Sequence, residues 1–240
     1  GRNVFGGMLL ADISVSGAGS AGTEIVNNLI GVGADGLTDL GNIGHGILID
    51  GASQITIGGA GLAANVIRFN STGVLVTGAS AGNRISGNQI ADNDALGIDL
   101  SLTTTPDGVS NNDPNDTDSG PNDLQNFPVL AAGSASTQSI TLNGTLDVPA
   151  TASNASYVLD FYENTACDAN GHGEGAVPLA SRNISLSGNA ESFSVTLNVV
   201  PNPEPTVITA TATDAAGNTS EFSACTPAPR PDALLADGFE

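Results

Sequence analysis

Apolar positions in the first hundred residues come in short runs that alternate with polar ones, and Gly, Asn and Ser separate the runs. In Gly46-Ile47-Leu48-Ile49-Asp50-Gly51-Ala52-Ser53, an extended backbone puts Ile47 and Ile49 on one side and Leu48 and Asp50 on the other. The same octet returns as Gly73-Val74-Leu75-Val76-Thr77-Gly78-Ala79-Ser80, and a looser copy is Asp12-Ile13-Ser14-Val15-Ser16-Gly17-Ala18. Each copy leads into a second extended segment: residues 24–30, 54–57 and 84–90. A third recurs as Asn3-Val4-Phe5 and residues 65–70. No helical stretch lies between them, which excludes helix-bridged parallel strands. Short strands that repeat in this way describe a chain that coils and stacks each coil on the last. The expectation is a right-handed parallel β-helix over residues 1–102. Ile, Val and Leu would stack inside it, and Gly and Asn would take left-handed corners. Asn27, Asn28, Asn83 and Asn88 fall at such corners, either as amide links between coils or as ordinary turn residues.

Ala95-Leu96-Gly97-Ile98-Asp99-Leu100 is the last strand of that pattern. Residues 103–127 follow as a polar segment crowded with Asp, Asn, Pro and Gly. A connection of this length without its own elements is uncommon unless it is functional or ion-bound. Residues 128–226 then show alternating strands at 129–130, 139–146, 157–162, 180–186, 192–197, 207–213 and 219–222, with Asp214-Ala215-Ala216-Gly217-Asn218 as the turn before the last. That spacing is the pattern of an immunoglobulin-like β-sandwich. Residues 227–240 are a Pro-rich tail. The fold class expected is all-β: a right-handed parallel β-helix (solenoid) followed by an immunoglobulin-like β-sandwich.

Composition narrows the partners. Of 240 residues 31 are Gly, Lys and Trp are absent, and five Arg stand against 25 acidic residues for a net charge of −20. Nucleic acid is disfavoured, because its recognition needs bases to neutralise phosphates. An anionic membrane surface is disfavoured for the same reason. No stretch approaches the roughly 20 apolar residues that span a bilayer, so no membrane insertion is expected. Cys167 and Cys225 form either one disulfide, which requires an oxidising compartment, or two buried thiols; both fall in the second domain.

Three segments carry a family resemblance: Gly46–Ser53 with its copy Gly73–Ser80; Gly97-Ile98-Asp99-Leu100 onward to Gly120-Pro121-Asn122-Asp123-Leu124-Gln125-Asn126-Phe127-Pro128-Val129; and Thr213-Asp214-Ala215-Ala216-Gly217-Asn218-Thr219-Ser220-Glu221-Phe222-Ser223-Ala224-Cys225. Together they resemble the large secreted bacterial proteins with parallel β-helix repeats, often found beside a CSLREA motif, which this sequence lacks. The resemblance covers nearly the whole chain. It implies an extracellular or bacterial cell-surface location and a structural or adhesive role, and it implies little about ligand. The partner expected for such a role is a surface glycan or protein receptor. Leu234-Leu235-Ala236-Asp237-Gly238-Phe239-Glu240 resembles a short C-terminal tag on some secreted proteobacterial proteins. Gly1 to Phe5 read as the middle of a repeat, so a longer parent chain is expected. For the isolated chain, end-to-end association is expected through residues 1–30, near Ile13, Val15, Ile25 and Leu29.

The acidic segment is the strongest candidate site. Asp107, Asn112, Asp113, Asn115, Asp116, Asp118 and Asn122 offer hard oxygen ligands with no Lys or Arg among them. Calcium takes six to eight such ligands in irregular geometry. The spacing is not that of an EF-hand, since the closing Glu is missing; a solvated acidic linker is the plainer alternative. The rival function is a carbohydrate-active β-helix enzyme, a lyase or hydrolase acting on acidic polysaccharide. Asp50, Asp92, Asp94 and Asp99 would be its carboxylates, and Arg68 or Arg84 would hold a uronate. Thr77 stands where Asp50 does in the matching repeat, so no acidic stripe is built. His45 and His172, each between two glycines, read as exposed turn residues. Cys167 and His172 lack a second pair for zinc.

Overall fold

The computed structural model describes residues 1–152 and 154–231; the tag-like segment Leu234–Glu240 lies outside them. The described chain is all-β, with parallel sheets in its first half and antiparallel sheets in its second. No helix among the described residues is long and apolar enough to cross a membrane.

The parallel half is built in rounds. The first comprises β1 (Asn3–Phe5), β2 (Ala11–Ser16) and β3 (Glu24–Ile25). The second comprises β4 (Asn28–Ile30), β5 (His45–Asp50) and β6 (Thr56–Gly58). The third comprises β7 (Val66–Arg68), β8 (Thr72–Thr77) and β9 (Arg84–Ser86), and β10 (Gln89–Ala91) and β11 (Ile98–Ser101) begin a fourth. Every third strand joins the same sheet, giving the orders β1-β4-β7-β10, β2-β5-β8-β11 and β3-β6-β9. The register matches the repeats: Ile47 sits between Ile13 and Val74, and Ile49 between Val15 and Val76. Ile30, Ile67 and Ile90 stack likewise, as do Ile25, Ile57 and Ile85. Inner side chains of all three sheets converge in one aliphatic cluster. Residues 24–30 are two strands and not one, because Asn27 turns the chain at φ 59; Gly87 does the same at φ 65 between β9 and β10.

Buried amides run along the parallel half in columns. Nδ2 of Asn3 donates to Oδ1 of Asn28 (3.0 Å), Asn28 to Asn65 (3.1 Å) and Asn65 to Asn88 (2.9 Å). A second column runs from Asn42 to Asn70 (2.6 Å) and on to Asn93 (3.0 Å). Asn83 belongs to a third, holding the Ile55 amide (3.0 Å) and the Ala52 carbonyl (3.0 Å). Asn28, Asn83 and Asn88 are therefore links between rounds. Asn27 instead stays at the surface, where its side chain accepts from Arg2. A column works because each amide both donates and accepts, so no member is left unsatisfied when buried.

Among the described residues the antiparallel half has seven strands: β12 (Val129–Ala135), β13 (Ile140–Val148), β14 (Ala155–Asn164), β15 (Val177–Leu186), β16 (Asn189–Leu197), β17 (Val207–Thr213) and the short β18 (Thr226–Pro227). They form two sheets, β12-β13-β16 and β15-β14-β17-β18. Alternate residues such as Leu142, Leu146, Leu159, Phe161, Ile208 and Ala210 share a second core. Cys167 and Cys225 are joined in a disulfide. The strand expected over 219–222 is not regular. Ser220 and Ser223 bond Ala212 and Ala210 of β17, so three residues span what two span opposite, and both hydroxyls accept amides that a regular ladder would have paired.

Candidate functional site

The structure gathers part of the acidic segment. Asn115 (φ 64) and Asp116 (φ 49) are consecutive left-handed residues, which fold the chain back so that carboxylate oxygens of Asp113, Asp116 and Asp118 come within 4.8 Å of one another. Asp113 accepts the amide (3.1 Å) and hydroxyl (2.6 Å) of Thr117. Asp116 accepts the Asn126 amide (2.9 Å) and the Gln125 side chain (3.1 Å). Burial pushes Asp116 up to about 7, helped by the charges of Asp118, Asp113 and Asp214. Burial also raises Asp118, with Asp113 adding to it. Tyr157 is pushed up to about 12 by burial and by Asp116 and Asp214. Among the described residues the one ion pair is Arg68–Asp92, so no base neutralises the cluster. Hard oxygen donors in excess of positive charge are the donor set that calcium takes.

The other residues expected in that site lie elsewhere. Asn112 is a structural clasp, its side chain bonding both the amide (2.9 Å) and carbonyl (2.8 Å) of Phe127. Asn122 is wholly buried and extends the third amide column, accepting the Asn83 amide (3.0 Å) and donating to the carbonyls of Asn83 (2.7 Å) and Thr219 (3.0 Å). Asp107 accepts the Leu102 amide (3.2 Å) and neighbours Asp99. Of the carboxylates considered for glycan chemistry, Asp92 is paired with Arg68 and Asp99 is fully buried. Both histidines depart from the exposed-turn expectation. His45 is the first residue of β5 and is buried there, which depresses its pKa; Gly46 continues the strand, and Gly44 lies in the bend before it. His172 bonds the Phe222 carbonyl through Nδ1 (3.1 Å) and meets the edge of Phe127.

The parallel half ends in β9, β10 and β11, one at the edge of each sheet. Its last edges are met by the antiparallel half. Ile90 exchanges two backbone bonds with Gly175 (2.9 and 2.8 Å). The Ile85 amide donates to the Thr219 hydroxyl (3.0 Å), and the Leu100 amide to Glu221 (2.9 Å). Glu174 terminates the second column by accepting from Asn93 Nδ2 (2.6 Å). Glu174 and Glu221 are both buried and both pushed up to about 8, chiefly by that burial. Tyr162 and Phe222, edge to face, close the aliphatic cluster. Gly97 and Gly175 admit the Phe222 ring: a Cβ would stand 2.9 and 2.8 Å from it. Beside this junction is a groove of about 460 Å³, lined by Ser86, Gln89, Asp160, Tyr162, Pro178 and Ser181. Asp160 is engaged by the hydroxyls of Ser86 and Ser181. Periodicity does not reveal these capping residues, because they match no repeat.

No family model matches the chain, and no curated protein matches it. A solved structure, the sensor domain of the anti-sigma factor RsgI4 from Pseudobacteroides cellulosolvens, aligns with 41% of this chain and 89% of that one, at 18% identity and a TM-score of 0.26. A superposition this loose carries no argument about fold or function.

Proposed function

We propose that this chain is a non-enzymatic structural and adhesive segment of an extracellular bacterial surface protein, of the β-helix repeat type it resembles. In this reading the parallel half is a right-handed β-helix serving as a stiff spacer, and the antiparallel half is an immunoglobulin-like sandwich that closes its end. Three parallel sheets filled by rounds of one chain around one core support the first assignment. Two antiparallel sheets over a shared core support the second. The observation that carries the reading is the covered end, where Ile85, Ile90 and Leu100 each find a partner in the antiparallel half. Exposed strand edges invite unwanted pairing, and a terminal cap is what a free-standing repeat rod requires. The disulfide fits an oxidising, extracellular compartment.

Calcium held by Asp113, Asp116 and Asp118 stabilises the connection between the halves in this reading. At the far end β1, β2 and β3 are the outermost strands of their sheets, and self-association is assigned to those edges. The test is incubation with a panel of acidic polysaccharides and host-surface glycans or proteins. Saturable binding without change in polymer length is expected. Depolymerisation with release of unsaturated or reducing ends would overturn the reading in favour of a β-helix lyase or hydrolase.

A further inference from the structure

A second group of carboxylates lies apart from the acidic cluster, on the outer face of the last strand of the parallel half. Along β11, Ile98 and Leu100 turn into the core, so Asp99 faces the opposite way. Its register partners in the two preceding rounds are Leu75 and Leu48, so this face is otherwise apolar where the carboxylate stands. The chain after β11 folds back over it. Asp99 is left with 0% exposure, Oδ2 near the Gly108 amide (3.4 Å), the Asp107 backbone close by, and no donor aligned on Oδ1. A buried carboxylate oxygen with no donor is unfavourable and rare in native proteins. The carboxyl of Asp107 comes within hydrogen-bonding reach of Asp99, and Glu221, itself 2% exposed, is the third carboxyl of the group. Glu221 accepts the Leu100 amide (2.9 Å) with one oxygen and the Ser110 amide (2.9 Å) with the other, so it pins the covering segment down over the group.

We propose that Asp99 and Asp107 are direct ligands of a divalent cation of calcium type at this place, with Glu221 as the neighbouring carboxyl whose two amide bonds fix the segment around it. The unpartnered Asp99 oxygen is the position an ion fills, and an ion is what lets Asp99 and Asp107 sit together ionised. With two protein carboxylates and the remaining positions left to main-chain oxygens and water, affinity falls in the weak range of extracellular calcium modules, roughly 0.1–1 mM. The site does not depend on the Asp113–Asp116–Asp118 cluster.

The test is calcium binding to the intact, chelator-stripped chain by titration calorimetry, comparing the parent with Asp99→Asn, Asp107→Asn and Asp116→Asn. Asp99→Asn and Asp107→Asn are each expected to lose one calcium equivalent per chain, whereas Asp116→Asn retains it. Asp107 is exposed, so its variant reports even if Asp99→Asn does not fold. Parent stoichiometry in Asp107→Asn would overturn the proposal. Loss confined to Asp116→Asn would overturn it while leaving the other cluster standing. Loss confined to Asp99→Asn and Asp107→Asn would uphold it and remove the other.

Discussion

The two halves of the molecule solve burial differently. The antiparallel half closes its core with its own residues: every member of that cluster lies between Leu130 and Ala228. The parallel half does not. Its cluster is completed by Leu124, Tyr162 and Phe222, none of which belongs to a parallel strand, and its final edge amides bond outside the repeat. A chain that grows by stacking identical rounds has no internal signal to stop, so its last round needs foreign groups. The dependence therefore runs mainly one way: the parallel half needs the antiparallel half more than the reverse.

Four perturbations separate the halves, from the largest expected effect to the smallest. Phe222→Ala empties the closure of the parallel core and should cost about 3–5 kcal/mol, as for other buried aromatics. Denaturant melts followed by hydrogen exchange should show the loss concentrated in β8–β11, with β13, β14 and β16 little changed. Removing the disulfide by Cys167→Ala with Cys225→Ala opens a loop of sequence separation 58. That should cost about 4 kcal/mol in the chain-entropy account. Because Glu174, Glu221 and Phe222 lie close by in sequence, this change should loosen both halves, which sharpens the comparison. Asn65→Ala strands the Asn28 amide and the Ile25 carbonyl inside the first column. It should cost about 2–3 kcal/mol, from buried groups left unpaired, and confine the damage to the parallel half.

The smallest effect concerns pH. Burial raises Glu174 in the folded protein from 4.5 to about 8. Its proton is then held more tightly folded than unfolded, so its contribution is fully present below pH 4.5 and lost as pH rises to about 8. In chelated buffer the melting temperature should fall over that window, and Glu174→Gln should flatten the fall. An identical slope in the variant would place the titration elsewhere.

Much of the parallel half is legible where strands are long enough to alternate. The octets at Gly46 and Gly73 pair in the register their sequences suggest. The two- and three-residue strands are too short for any period, so β3 and β4 read as one segment until Asn27 is seen to turn left-handed. The amide columns escaped in part because their spacing is irregular: Asn28 to Asn65 is 37 positions, Asn65 to Asn88 only 23. In the acidic segment composition alone pooled seven oxygen donors, but burial sorts them. Asn112 and Asn122 spend their amides on the backbone, and Asp107 goes to Asp99. Sequence shows donor chemistry; which donors converge depends on two left-handed residues, Asn115 and Asp116, whose types tolerate that conformation but do not by themselves fix it among the many Asn and Asp of the segment.

The central claim is the one-way dependence of the parallel half on its cap, and dividing the chain tests it most directly. Residues 128–231, which contain both cysteines, are expected to unfold cooperatively on their own. Residues 1–127 alone are expected to exchange the amides of Ile85, Ile90 and Leu100 rapidly and to lose their cooperative melt. A fragment 1–127 as stable and as protected as in the intact chain would contradict the account.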